Sequence, residues 1–168
     1  MLYKIIGGGL IIAATTVFGC SKARALSERV NSLLRIKTAL SVLESEIIFS
    51  ANHMKRAFLR LADTVGPAFL FREAAARLEE DGVGKAWRDA VDKYRKKLCL
   101  ADEDVRMLKT LSAELGMTDR ENQVKNLRRV AALLDTALIK AREEYDRSAR
   151  LYRSCGIMAG LLVVILLV

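Results

Sequence analysis

Apolar residues recur along the middle of the chain at alternating steps of three and four, the spacing of one face of an α-helix. The first series contains Leu26, Val30, Leu33, Ile36, Leu40, Leu43 and Ile47. The last series contains Val124, Leu127, Ala131, Leu134, Leu138, Ala141, Tyr145, Ser148 and Tyr152. Both series predict long amphipathic helices whose apolar side packs like the seam of a coiled coil.

Breaks in this pattern divide the segment between the two series into shorter helices. A second helix surrounds Phe58 and ends at Gly66-Pro67, with Pro67 in the first turn of a third helix. Asp81-Gly82-Val83-Gly84 predicts a turn before a fourth helix that reaches Leu98. A fifth begins at Ala101, has acidic residues in its first turn and ends at Gly116. Trp87, on the fourth helix, is interpreted as a core residue rather than a ligand-stacking one.

The last helix has the clearest start signal. Thr118-Asp119-Arg120-Glu121 is a capping box, in which the Thr and Glu side chains satisfy amides that are free at a helix start. No helix stop follows, so this helix is expected to continue into the apolar C-terminal segment. The sequence therefore predicts an all-α fold: an antiparallel helical bundle of about six helices with long first and last helices.

Both ends of the chain are apolar and almost free of charge. Residues 5–21 and 154–168 contain no charged side chain, and the segment between them carries 27 of the 28 Lys and Arg residues. We predict transmembrane helices at 2–21 and 151–168, with a helical bundle domain at 22–153. Cations next to both segments, Arg29 among them, predict a cytosolic bundle with both termini outside.

A signal peptide is the alternative interpretation of the first segment. Val17-Phe18-Gly19-Cys20 resembles a lipoprotein cleavage site, which would make the protein an exported lipoprotein lipidated at Cys20. Phe18 is bulky for that site, and Lys4 is the only charged side chain before it. A membrane anchor is therefore favoured over an exported scaffold.

The sequence contains few groups from which a catalytic or metal site could be built. His53 is the only histidine, and the three cysteines are widely spaced. Gly7, Gly8 and Gly9 are not followed by the Lys-Ser or Lys-Thr of a phosphate-binding loop. Basic and acidic residues alternate without an aromatic platform, which does not favour nucleic acid. We therefore predict a protein that is not an enzyme, with no cofactor and no metal.

Four residues are candidates for partner binding. Glu44 and Glu46 flank the seam of the first helix on diverging sides, where structural ion pairing is favoured over partner recognition. Asp119 and Arg120 lie in the first turn of the last helix. Asp119 benefits from the helix dipole there, whereas a positive charge at Arg120 does not, which predicts that Arg120 pairs with an acid either within the bundle or on a partner protein.

Several stretches of the chain resemble the stage III sporulation protein AB family of endospore-forming bacteria. They are Leu43-Glu44-Ser45-Glu46-Ile47, Phe71 with Glu73-Ala74, Ala86-Trp87 with Ala90, the stretch from Leu115 to Gln123, and Tyr152-Arg153-Ser154 before an apolar end. The chain departs from the family pattern at Asn52-His53-Met54, where relatives typically carry Thr-Pro-Leu. The conformation of that turn is therefore left open.

This resemblance implies a function that composition and periodicity do not give. The family is similar to the inner-membrane platform proteins of type II secretion and type IV pilus machines. It implies a mother-cell membrane protein of a channel complex, whose cytosolic domain engages an ATPase like stage III sporulation protein AA. The remaining expected partners are other channel-complex proteins, the membrane and further copies of the chain.

Overall fold

The computed structural model describes residues 2–49, 54–113, 115 and 119–167. This part of the chain folds into α1 (Leu2–Phe49), α2 (Met54–Thr64), α3 (Ala68–Asp81), α4 (Val83–Tyr94), α5 (Asp102–Thr110) and α6 (Arg120–Leu167). A short 3₁₀ helix, Leu111–Ala113, follows α5, and no strand occurs among the described residues. The predicted all-α class and the long first and last helices are confirmed.

The first and last helices are each 48 residues long. The continuous course of the last helix toward the C-terminus agrees with the sequence expectation. Of the segments predicted to be transmembrane, residues 2–21 lie within α1 and residues 151–167 within α6, and residue 168 lies outside the described residues. Within the residues described, no helix combines the length and the apolar character needed to cross a membrane.

The chain divides into two compact units. One, here called the terminal unit, contains residues 1–28 and 140–168, and the other, the central unit, contains Arg29–Ile139. Both α1 and α6 contribute residues to each unit.

The two predicted seams supply much of the core of the central unit. Leu33, Ile36, Leu40 and Leu43 of α1 are fully buried, as are Leu127, Val130 and Leu134 of α6. Val130 was not in the predicted α6 seam, and it is more deeply buried than the predicted Ala131. Adjacent positions of a helix point about 100° apart, so the side of α6 that faces the core is rotated toward Val130 relative to the predicted seam.

Three aromatic rings form the centre of this core. The ring centroids of Phe58, Phe71 and Trp87 lie 5.7–6.0 Å apart, within the range of favourable aromatic contacts. The indole Nε1 of Trp87 donates a hydrogen bond of 2.7 Å to the carbonyl of Leu108, which satisfies its only polar atom. The interpretation of Trp87 as a core residue is therefore confirmed.

The junctions around α3 and α4 show how local sequence ends each helix. Pro67 precedes α3 as its N-cap residue, so the prediction that it lies inside the first turn was one residue off. Gly82 has φ +76° between α3 and α4, a conformation that glycine adopts without steric cost. The predicted turn at this position is confirmed.

The fourth helix ends earlier than predicted. It stops at Tyr94 instead of reaching Leu98, and the chain turns through Cys99, whose φ is +53°. The amides of Cys99 and Leu100 donate to the carbonyls of Lys96 and Arg95, the bond pattern of a Schellman motif. This motif normally has glycine in the place of Cys99, so no residue pattern signals it in advance.

The fifth helix was also predicted too long. It ends at Thr110, and the 3₁₀ helix replaces the predicted continuation toward Gly116. The hydroxyls of Thr110 and Ser112 donate to the carbonyls of Met107 and Lys109 at 2.7 and 2.6 Å. Such bonds to carbonyls three residues earlier compete with regular α-helix hydrogen bonding and tighten the last turn.

Candidate binding surfaces

The predicted acidic pair of the first helix lies in the central unit, with each carboxylate held by an arginine. Arg128 Nε of α6 donates to Glu44 Oε1 at 2.7 Å, and Arg60 Nη1 of α2 donates to Glu46 Oε1 at 2.7 Å. The two carboxylates diverge toward different helices, as residues two positions apart on a helix must. These contacts confirm the structural ion pairing weighed from the sequence, while a role of either residue in partner binding stays a prediction.

A second ion pair lies beside the first on the same side of α1. Lys37 Nζ donates to Asp135 Oδ1 of α6. Lys37 and Glu44 are seven residues apart, as are Arg128 and Asp135, so the two pairs define antiparallel packing of α1 and α6 within the central unit. Neighbouring positions across the two helices follow from this register.

The other two candidates lie at the start of α6. The carbonyl of Asp119 accepts the amide of Gln123 at 3.1 Å, and its Oδ1 accepts Asn122 Nδ2 at 2.6 Å. Arg120 is exposed and has no hydrogen-bond or ion-pair partner among the described residues. Thr118 of the predicted capping box lies outside the described residues, as do Asn52 and His53 of the uncertain turn.

Arg120 lies on the same helix as the arginine that binds Glu44. Arg128, the partner of Glu44, lies eight residues after Arg120, or about 12 Å along the helix axis. Glu46 is engaged with α2 instead. The N-terminal part of α6 therefore offers an unpaired cation and an exposed acid, with the Glu44 ion pair two turns further on.

Sequence analysis missed the buried ion pair between Arg29 of α1 and Asp104 of α5. Arg29 Nε donates to Asp104 Oδ2 at 2.8 Å and Arg29 Nη2 donates to Oδ1 at 3.1 Å, a bidentate arrangement. The amide of Ala101 also donates to Asp104 Oδ2 at 2.9 Å, which caps α5. Arg29 had been counted among the membrane-flanking cations, and Asp104 had been assigned only to the helix dipole. No local pattern signals a pair separated by 75 positions.

Ion pairs also connect α3 to α4 on the surface of the central unit. Glu73 accepts hydrogen bonds from Lys93 Nζ at 2.6 Å and from Arg77 Nε at 2.8 Å. The bond from Lys93 is the main cause that holds the pKa of the Glu73 carboxyl below its usual value. The hydrogen bond that Arg77 itself donates to Glu73 raises the pKa of Arg77.

The terminal unit presents a different surface, rich in exposed apolar side chains. Among the side chains that the structure describes, nine exposed large apolar residues lie here and five in the central unit, although the central unit is about twice as long. The nine are Leu10, Val17, Phe18, Leu151, Tyr152, Met158, Leu162, Val163 and Ile165. This unit therefore has an apolar surface that its own fold leaves uncovered.

The two segments of the terminal unit pack closely against each other. A methyl group added at Gly8 would lie 3.2 Å from Val164 Cγ1. Further along lies an open cavity of about 410 Å³, lined by Ala14, Thr15, Phe18, Gly19, Tyr152, Cys155 and Ala159. Its lining is almost entirely apolar, so it offers little polar surface to orient a polar ligand.

No cluster of three or more potential metal ligands occurs in the part of the chain that the structure describes. Cys20 and Cys99 are partly buried and Cys155 is exposed, and none of the three forms a disulfide bond. The surfaces described are those of a helical protein with ion pairs on the central unit and exposed apolar side chains on the terminal unit.

Comparison with known proteins identifies this class as a family of sporulation proteins. Residues 4–168 match the sequence model of the family described as stage III sporulation protein AB, and the chain belongs to this family. The family resemblance predicted from the sequence is therefore confirmed.

Two relatives support this assignment. Stage III sporulation protein AB of Bacillus subtilis (strain 168) is 26% identical over 170 residues, which cover 99% of each chain. A solved structure of stage III sporulation protein AB (SpoIIIAB) matches with a TM-score of 0.65 at 24% identity. That match covers 70% of this chain and 96% of the other, and it shows a shared fold.

Proposed function

We propose that the protein is a non-enzymatic membrane platform of a sporulation channel complex. The terminal unit inserts into the mother-cell membrane, and the central unit faces the cytosol and binds a secretion-type ATPase like stage III sporulation protein AA. The observation that carries this proposal is the concentration of exposed large apolar side chains in the terminal unit.

Energetics support membrane insertion of this surface. Removing apolar area from water gains about 25 cal/mol per Å², so nine large side chains left in water forgo a substantial stabilisation. The uncharged stretches 5–21 and 154–168 contribute the exposed residues from Leu10 to Phe18 and from Met158 to Ile165. Exposed cations follow the first stretch at Lys22 and Arg24, where they can contact anionic lipid headgroups.

The start of α6 supports partner binding by the central unit. Arg120 is an exposed cation in the first turn of a helix, where the helix dipole disfavours positive charge. An acidic group on a partner would compensate this charge. We therefore propose that Arg120 contacts an acidic surface of the ATPase and that the neighbouring Asp119 contributes less.

The topology is tested by labelling a single cysteine in the central unit. Glu103→Cys is suitable because Glu103 is exposed on α5, whereas Ser112 is buried and would not report accessibility. With the native cysteines replaced, a membrane-impermeant maleimide is expected to label Glu103→Cys only after the mother-cell membrane is permeabilised. Labelling in intact cells would contradict the proposed orientation, and a mature protein lacking residues 1–19 would indicate the exported lipoprotein instead.

Partner binding is tested by titration calorimetry of the purified full chain with the ATPase. Arg120→Ala is expected to weaken association about tenfold with little change in melting temperature, because the side chain has no partner among the described residues. Arg106→Ala is the matched control, since Arg106 is an exposed arginine on α5. Equal affinities for both variants would contradict a role for Arg120 in recognition.

A further inference from the structure

One side of α1 in the central unit is exposed and carries no charge. We call it the α1 face, and its residues are Leu34, Thr38, Ser41, Ser45 and Ile48. Their steps of four and three place them within an arc of about 80° over a length of about 21 Å. In a chain with 29% charged residues, an exposed helix side whose five neighbouring residues are all uncharged is unusual.

The polar groups of this face are already satisfied by the helix itself. The hydroxyls of Thr38, Ser41 and Ser45 donate to the carbonyls four residues earlier at 3.0, 3.3 and 3.2 Å. Leu34 at one end is 41% exposed and Ile48 at the other is 37% exposed. The face therefore offers small, internally bonded side chains between two apolar ends, a surface on which another helix can approach closely.

Apolar surface also continues onto α6 beside this face. The register set by the Lys37–Asp135 and Glu44–Arg128 pairs places Ile139 level with residue 33 of α1, next to Leu34. Ile139 is 59% exposed. Leu34 and Ile139 together widen one apolar end of the surface.

Positive charges beside the α1 face lie before its centre, and negative charges lie after it. Arg35 and Lys37 precede Ser41, and Glu44 and Glu46 follow it. Lys37 and Glu44 are on one flank of the face and Arg35 and Glu46 on the other, as the 100° rotation per residue requires. On each flank the cation lies one residue further before Ser41 than the acid lies after it.

We propose that two copies of this chain associate through their α1 faces, antiparallel about a two-fold axis near Ser41. A two-fold interface requires a self-complementary surface, in which residue i of one copy faces residue j of the other and the reverse. The antiparallel arrangement places Leu34 against Ile48 of the second copy and Lys37 opposite Glu44 of the second copy. A parallel arrangement would instead bring opposite flanks together and place Lys37 near Arg35 of the second copy, two like charges.

The existing ion pairs do not prevent this association. The side chains of Lys37 and Glu44 are 33% and 23% exposed while paired with Asp135 and Arg128. Exposed ion pairs contribute little energy and rearrange readily, so each charge can be shared with the second copy. Because the side chains of Lys37 and Glu44 are partly exposed, a second copy can reach both at the flank of the α1 face.

The size of the surface predicts a weak dimer. A helix side about 21 Å long and about 10 Å wide covers about 200 Å², and the adjoining side of α6 doubles this to about 400 Å² per copy. The resulting total of about 800 Å² is below the range of stable complexes. Covalent trapping of the full chain is therefore a better test than chromatography.

Crosslinking of single cysteines tests the arrangement in the full chain with Cys20→Ser, Cys99→Gly and Cys155→Ser replacements. A short bifunctional maleimide is expected to crosslink Ser41→Cys copies to each other several times more than Ala76→Cys copies. Ala76 is an exposed small residue on α3 and serves as the matched control. Equal crosslinking of the two variants would overturn the proposal.

Cysteines at the ends of the face determine the direction of pairing. Copies carrying Leu34→Cys are expected to crosslink to differently tagged copies carrying Ile48→Cys. Two copies that both carry Leu34→Cys should crosslink only weakly. Predominant crosslinking of Leu34→Cys to itself would indicate parallel pairing and overturn the proposed arrangement.

Charge reversal separates the contacts between copies from those within one copy. Lys37→Glu and Glu44→Lys are each expected to lower crosslinking of Ser41→Cys about fivefold, as the loss of two exposed ion pairs predicts. The double variant restores opposite charges between copies, so crosslinking is expected to recover. Its melting temperature should stay low, because Asp135 and Arg128 still face like charges within each copy. A double variant that crosslinks as weakly as the single variants would refute the pairing of Lys37 with Glu44.

Discussion

Replacing Asp104 by asparagine is expected to destabilise the protein strongly. The Asp104 side chain is 1% exposed and accepts two hydrogen bonds from Arg29 and one from the amide of Ala101. Asp104→Asn keeps the shape of the side chain but removes its charge. The Arg29 guanidinium, only 13% exposed, would then lose the negative charge of the carboxylate that it contacts with two donors.

The magnitude follows from the burial of the pair. Breaking a buried ion pair by neutralising one partner costs about 3–5 kcal/mol, since the other charge stays desolvated. Because Arg29 keeps some access to water, we expect about 3 kcal/mol, the lower end of that range. For a chain of this size, a loss of this magnitude lowers the melting temperature by about 6–12 °C.

Urea denaturation of the full chain, followed by circular dichroism, measures this effect. Asp63→Asn is the matched control, because Asp63 pairs with Arg72 at 2.8 Å while both side chains are more than 60% exposed. This control is expected to cost less than about 1 kcal/mol. Combining Arg29→Met with Asp104→Leu should recover most of the loss, since no buried charge is left alone. If Asp104→Asn costs no more than Asp63→Asn, the pair does not stabilise the fold.

Three further predictions concern the core, a turn and a surface carboxylate. Leu134→Asp should cost at least several kcal/mol in urea denaturation, because Leu134 is fully buried and the new charge would have no partner; an unchanged denaturation midpoint would contradict the packing of α6. Cys99→Gly should raise stability by roughly 1 kcal/mol, since Cys99 has φ +53° and glycine adopts this conformation freely; a loss of stability in the same assay would show that contacts of the thiol outweigh the strain. Lys93→Ala should raise the pKa of Glu73 toward 4.5 in an NMR titration, because the hydrogen bond from Lys93 is the main cause of its lowering. In the parent chain this interaction contributes stability above pH 4.5 that is lost as the pH falls through the lowered pKa of Glu73. An unchanged pKa of Glu73 in the variant would refute Lys93 as the cause of the lowering.

The sequence predicted the features of the fold that arise from periodicity. Apolar steps of three and four identify both long helices, because burial of one helix side repeats at that interval. The Asp81 to Gly84 turn was also predicted, since glycine there has a local conformational reason that the sequence reveals.

Features that depend on contacts between distant positions were not predicted. The Arg29–Asp104 pair joins residues 75 positions apart, and each residue alone fits a plausible local role. The turn that closes the segment after α4 depends on Cys99 in a position usually held by glycine, and the early end of α5 depends on hydroxyls that bond to nearby carbonyls. The ion pairing of Glu44 and Glu46 was favoured from their flanking positions, but their individual arginine partners required the structure.

The position of Trp87 also makes the chain its own spectroscopic reporter. It is the only tryptophan in the sequence, and its indole lies 1% exposed beside Phe58 and Phe71 in the central unit. Its intrinsic fluorescence should therefore be blue-shifted in the native state and should shift to the red when that core opens. The terminal unit contains no tryptophan and is silent in this signal. Fluorescence thus follows the melting of one unit, whereas the far-ultraviolet signal sums the helices of both.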